Sequence, residues 1–475
     1  MRAPRYLVPM IVACALFMEN MDATVIATAL PTIANAFGES PLRLNLAITA
    51  YLLSLGIFIP LSGWLADRLG ARTVFSAAIV VFTLGSVACA AVQSLPELVA
   101  ARILQGIGGA MMVPVGRLVV LRTIPKSELV SGMAYLTVPA LIGPVLGPPL
   151  GGFIVTYASW RWIFAINIPI GLLGLALALR YVPNVRERRA ERLDLAGFGI
   201  VSLGLAATMF GFENVGRGVL PGFAIAALVA VGLVLLVLYA RRSRAVATPI
   251  LDLSLLRVRT FGASVVGGFV FRMGIGALPF LTPLMLQLGF GLSPFASGMI
   301  TFAGAAGALL MKLTAAPILR RLGFRRVLIA NTVLCAGFMA SYGLFGPTTP
   351  HLLITAVLLV GGFFRSLQFT SLNTLAYADI DEPAMSHATT LSSVAQQLSL
   401  TFGVGLGALL LHATLALRGR ETLGADDFAY TYFAIAAISL TSLFFFTPLP
   451  RDAGAEMSGR REHPARIADT AHAAE

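Results

Sequence analysis

Charge is scarce in this chain. Of its 475 residues only 12% are Asp, Glu, Lys or Arg, roughly half the share that keeps a soluble domain's surface wet, so water is excluded as the main solvent. Cysteine is scarce too. Cys14, Cys89 and Cys335 all sit inside apolar stretches without ligand-like spacing, which argues against a disulfide framework or a thiolate metal site. There is no HExxH, GxSxG or Walker A segment, so neither enzyme chemistry nor a bound cofactor or metal is expected. Nothing resembles an ion-channel selectivity filter. The first apolar stretch is long and contains Glu19 and Asp22, unlike a cleavable signal peptide.

What is present is apolar length. Hydrophobic residues make up 57% of the chain and mean hydropathy is +0.85. A bilayer core about 30 Å thick needs roughly 20 apolar residues per spanning helix. Richness in Gly, Ala and Leu favours helices over a barrel. Apolar runs predict fourteen spans, at 6–30, 45–65, 73–92, 96–116, 130–157, 162–181, 195–212, 221–240, 261–288, 295–311, 327–345, 351–377, 388–417 and 428–446.

The net charge of +12 is distributed as a membrane protein distributes it, pointing to anionic lipid and not to nucleic acid. With the N-terminus inside, only Arg43, Arg161, Arg217, Arg418 and Arg420 fall outside, and Arg102, Arg272 and Arg365 fall within spans. The remaining Lys and Arg are cytoplasmic, as the positive-inside rule requires. The basic clusters at 186–192 and 241–244 bracket an even number of spans, which puts both termini in the cytoplasm. The expected fold class is an all-α membrane protein of two six-helix bundles plus two extra central helices. Its units are 1–181, a linker of two spans at 182–260, 261–448, and a disordered tail at 449–475. The loops GWLADRLGARTVF (from Gly63) and APILRRLGFRRVL (from Ala316) look alike, the weak internal symmetry that transporters show.

Four segments carry a family resemblance. They are Met21-Asp22-Ala23-Thr24-Val25 with Ala29-Leu30-Pro31, Gly63-Trp64-Leu65-Ala66-Asp67-Arg68-Leu69-Gly70 with Arg72, Arg102-Ile103-Leu104-Gln105-Gly106 with Gly109, and Gly143-Pro144 through Gly147-Pro148-Pro149-Leu150-Gly151-Gly152. Together they resemble the major facilitator superfamily, and within it the fourteen-span drug:proton antiporters. Ala71 stands where that family usually has a basic residue. The resemblance implies proton-coupled efflux of small molecules, multidrug in type, by alternating access, from a monomer in a bacterial cytoplasmic membrane.

Asp22 lies roughly 12 Å and Arg102 roughly 9 Å from the outer ends of their helices, so the two are expected to meet. An Arg whose distance changes as a cavity opens would couple a proton on Asp22 to conformation. Glu19, three residues earlier on the same face, is a second titratable group. A static ion pair is the competing reading. The loop residues Gly63, Asp67, Arg68, Gly70 and Arg72 are expected to latch the halves, with Asp67 capping a helix or pairing with Arg68 or Arg72. Gly143, Pro144, Gly147, Pro148, Gly151 and Gly152 read as a bending or sealing surface, or as tight packing alone.

Arg272 and Arg365 fall near the midplane, where a charge is costly. With Gln105, Gln368 and Asn373 they are candidates for a substrate cavity. Gln287, Gln396 and Gln397 serve equally as contacts or as bundle glue. Lys312 is expected to snorkel to the cytoplasmic surface. The acids suit lipophilic cations. The midplane arginines suit organic anions or metal chelates.

Overall fold

The computed structural model describes residues 6–39, 41–185, 192–215, 220–419 and 424–458. Among the described residues there is no strand and there are fourteen long helices. We number these α1 (Leu7–Phe37), α2 (Pro41–Phe58), α3 (Ala71–Ala91), α4 (Leu95–Thr123), α5 (Leu129–Tyr157), α6 (Asn167–Tyr181), α7 (Leu195–Glu213), α8 (Gly222–Arg242), α9 (Gly268–Leu284), α10 (Pro294–Leu322), α11 (Phe324–Tyr342), α12 (His351–Leu375), α13 (Met385–Arg418) and α14 (Ala425–Thr441). Through a 3-10 turn at Ile59–Leu61, α2 runs on into the short helix Ser62–Leu69, and α9 is flanked by π-turns at Ala263–Gly267 and Met285–Gly289.

Twelve helical segments among the described residues are long and apolar enough to cross a bilayer. The other two, α5 and α11, are 29 and 19 residues long and pack within the same bundles. The apolar stretch of α11 is diluted by Arg325 and Arg326 at its start.

The packing repeats with an offset of eight helices. In the first bundle α1 packs on α5 and α6, α4 on α2 and α3, and α3 on α6; in the second, α9 packs on α13 and α14, α12 on α10 and α11, and α11 on α14. The repeat begins in the two similar loops. Gly70 (φ 94°) and Gly323 (φ 77°) occupy matching places, each turning one helix directly into the next in a conformation that side chains rarely adopt. The bundles meet where α5 faces α10 and α12, and where α13 faces α4 and the short helix Ser62–Leu69. Of the two extra helices, α7 lies on α2 and α13, while α8 packs chiefly on α7.

Both described ends of the chain sit at one end of the molecule. Tyr6 stacks on Tyr135 near the start of α5, and the short helix Ala455–Ser458 lies on the turn Lys126–Glu128. This corrects the expected disordered tail at its start: residues 449–458 fold onto the bundle, with Leu449 and Met457 buried. Residues 459–475, like the basic residues at 186–191 and Arg217, lie outside the described residues.

Candidate functional site

Helix α1 is apolar apart from a short polar stretch, and that stretch is where the first bundle closes. Asp22 is 1% exposed and Arg102, on α4, is fully buried. Arg102 Nη1 donates to Asp22 Oδ2. Two amides complete the carboxylate's shell, Gln105 Nε2 at 2.8 Å and Asn167 Nδ2 at 2.9 Å, both on Oδ1. Ser86 Oγ receives the same two amides, at 2.8 and 3.3 Å. Arg102 Nη1 also reaches Gln105 Oε1 at 2.6 Å, and the guanidinium lies 4.2 Å from the centre of the Tyr51 ring. Five helices, α1 to α4 and α6, thus converge on one carboxylate. Burying a charge this way is tolerable only because each oxygen is met by donors.

Beside this knot some groups are left without partners. Glu19 is 8% exposed, and its Oε2 has no hydrogen-bond partner. The Tyr51 hydroxyl has none either. Arg102 and Asn167 each keep one unpartnered polar atom, Nη2 and Oδ1. A saturated carboxylate next to an unsatisfied one is suited to holding a proton in one of two places.

A second polar cluster crosses between the bundles at the end that carries both termini. Ser386 Oγ, at the start of α13, donates to Asp67 Oδ2. Arg122 Nη2 lies 3.5 Å from Asp67 Oδ1, and Ser62 and Thr390 share a hydroxyl contact at 3.1 Å. Gly63 lets the helices approach, since a Cβ there would collide with Thr390 and the Ser386 carbonyl. Asp67 is thus met by Arg122 and Ser386, neither of which is a basic residue of its own loop. Arg68 instead lies over the Trp64 ring, 5.5 Å from its centre. Lys126 Nζ adds a contact to the Ala378 carbonyl at 3.4 Å.

The glycines of α5 line α1. Gly143 faces the Phe17 carbonyl, Gly147 faces Thr24, and Gly151 faces Thr28 and Val25, the close approach that small residues permit between membrane helices. Gly152 faces open space. The side chains of Pro144 and Pro148 lie outside the described residues.

In the second bundle the expected cavity residues separate. Arg272 is 2% exposed, donates through Nη2 to Asn373 Oδ1 at 2.9 Å, and lies over Phe369. Arg365 is half-buried. Gln368 is fully buried, with Asn331 at 3.0 Å and Thr332 at 2.8 Å, and ties α11 to α12. Gln105 belongs to the Asp22 knot. Lys312 does not snorkel. It is buried, and its Nζ donates to Thr370 Oγ1 at 2.7 Å.

The sequence profile of the Major Facilitator Superfamily matches residues 12–404 and 265–471. The chain belongs to the major facilitator superfamily. A relative from Klebsiella pneumoniae subsp. pneumoniae, named provisionally as multidrug resistance protein MdtD, is 40% identical over 460 residues, covering 95% of this chain and 96% of the relative. One from Escherichia coli O6:H1 with the same name is 41% identical, covering 93% and 94%. Among solved structures, the human organic anion transporter MFSD10 (TETRAN) superposes with a TM-score of 0.68 at 16% identity, covering 94% of this chain and all of that one. The proton:xylose symporter XylE superposes at 0.66 with 17% identity, covering 96% and 98%. These two are likenesses of fold.

As a member of this superfamily the chain is a multi-pass membrane transporter and not an enzyme. Several residues of its polar clusters carried no signal in the sequence. Asn167, Ser86 and Tyr51 are neutral residues in apolar stretches, each on a different helix. Arg117 stands one residue past the expected end of span four, yet α4 continues to Thr123 and buries it.

Proposed function

We propose that this transporter is a proton-coupled efflux antiporter for small molecules, working by alternating access between the units 1–181 and 261–448, with 182–260 as the linker. The observation that carries the reading is the Asp22 knot beside the unpartnered Glu19 carboxyl, because intramembrane ionisable groups are expensive unless they work. Opening the cavity would separate Arg102 from Asp22 and change which carboxyl holds the proton. Asp67, Ser386 and the Ser62–Thr390 contact would latch the cytoplasmic end. Proton exchange, a monomer, and cytoplasmic termini in a bacterial inner membrane belong to the same reading, and the MdtD names of the relatives favour multidrug cargo. In proteoliposomes containing a lipophilic cationic dye, the dye should move uphill only under an imposed pH gradient. Equal flux with and without the gradient would exclude coupling.

A second reading of the cargo, organic anions or metal chelates, is favoured by Arg272 and Arg365, for which no acidic partner is found among the described residues. Replacing each with Gln should remove anion transport selectively, with dye transport retained. Equal loss of both, or of the protein, returns these residues to packing.

A further inference from the structure

Arg272 has a neighbour of the same sign from the other bundle. Arg117, on α4 and 7% exposed, donates through Nη1 to the Tyr377 hydroxyl at 3.2 Å and through Nη2 to Gln396 Oε1 at 3.4 Å. Tyr377 lies in the turn that continues α12, and Gln396 lies on α13, so Arg117 reaches out of its own bundle into the second.

Both guanidiniums bond to residues at the C-terminal end of α12. Phe369 and Asn373 are four residues apart on one face of α12, and Tyr377 follows in the turn that continues it. The first lies 5.5 Å from Arg272, the second accepts from Arg272, and the third is met by Arg117. Both cations are thus held at the same end of α12, Arg272 at Asn373 and Arg117 at Tyr377 just beyond the last turn.

Neither is neutralised. Both arginines have only neutral hydrogen-bond partners among the described residues, and Arg272 Nε is buried with no partner at all. Two like charges buried at one end of the same helix repel, and each has also lost its hydration. An anion with two or more oxygens would answer both needs, since guanidinium forks match carboxylate and phosphate groups.

We propose that Arg117 and Arg272 form a two-sided oxyanion site between the bundles, taking a carboxylate or phosphate group of a small molecule and holding the bundles together at the end that carries the termini. It rests on the anion reading for its ligand class, but moves the site from the Arg272 and Arg365 pair to one shared between bundles. An anion bound there favours the conformation in which both arginines are close, because separating the bundles would cost it one of its two partners.

Equilibrium binding without a gradient tests this independently of proton coupling. The purified full-length protein is titrated with succinate or inorganic phosphate, against chloride at equal ionic strength, and Tm is read. A saturable rise with either oxyanion is expected, and which one produces it identifies the group recognised. Arg117→Gln and Arg272→Gln should each weaken binding roughly tenfold or more, while Arg117→Lys and Arg272→Lys retain part of it. Spin labels at Ser127 and Glu382, both exposed and on opposite bundles, give a readout that leaves both arginines intact: the oxyanion should narrow their distance distribution toward the short component.

No rise above chloride and no change in the label distances would overturn the site, as would Gln variants that bind like wild type. Binding abolished by Arg365→Gln but untouched by Arg117→Gln would sink the shared site while leaving the anion reading in place.

Discussion

Removing the Ser386 hydroxyl isolates the contact between the bundles from everything else Asp67 does. In Ser386→Ala the Asp67 carboxylate keeps Arg122, which belongs to the same bundle, and loses its donor across the interface. A hydrogen bond to a charged group is worth about 1.5–3 kcal/mol net, and a neutral one about 0.5–1.5 kcal/mol. With about 1.4 kcal/mol per factor of ten, Ser386→Ala should shift the equilibrium toward opening at this end by roughly ten- to a hundredfold. Thr390→Ala, which removes the neutral contact with Ser62, should shift it by roughly two- to tenfold. Asp67→Asn keeps an acceptor and loses the charge, so it should fall between the two. Distances between spin labels at Ser127 and Glu382 read the populations. An order in which Thr390→Ala matches or exceeds Ser386→Ala would refute the assignment of the latch to a charge-assisted bond.

Asp194 caps α7 by accepting from Gly197 N at 2.9 Å and pairs with Arg242 at 2.8 Å. Burial alone would raise its carboxyl, but the hydrogen bonds from Arg242 and Gly197 outweigh it and hold the carboxyl below the usual aspartate range. The depressed value means that the ionised form supports the fold. The Tm gap between wild type and Asp194→Asn should be full above about pH 4 and close as pH falls below it. Because Arg242 is partly exposed the gap should be small, and a gap that does not narrow at all as pH falls below about 4 contradicts the pairing. Gly147→Leu should push α5 off α1 at Thr24 and lower the yield of folded protein, whereas Gly152→Ala, which meets open space, should not; equal yields would contradict the packing. Gln368→Leu should lower Tm while leaving the relative rates for cationic and anionic substrates unchanged, and altered selectivity would restore it to the cavity.

Legibility followed charge. Asp22 and Arg102 stand out because ionised groups in apolar helices are rare, and depth counted from helix ends put them at one level, where the structure joins them. The Asn167 amide and the Ser86 hydroxyl carry no signal in the sequence, since a Ser or Asn in an apolar span reads the same whether it meets a carboxylate or its own backbone. Gln368 is ambiguous for the same reason: a buried amide serves glue and ligand equally well. Arg117 and Lys312 were lost to helix boundaries. The expected spans stop just before Arg117 and Lys312, whereas α4 and α10 continue for about two turns or more and turn those cations inward. The latch was legible as a cluster but not as a pairing, because Ser386 is more than 300 residues from Asp67.

Whether Asp22 carries the exchanged proton is read from Asp22→Asn, because Asn keeps the volume and the Oδ1 acceptor while removing the titration. The measurement is dye transport in proteoliposomes in two modes, uphill under an imposed pH gradient and gradient-free exchange of labelled for unlabelled dye. The account predicts that the variant loses uphill transport and retains exchange. Uphill transport at the wild-type rate would contradict it and move the proton to Glu19 or another group.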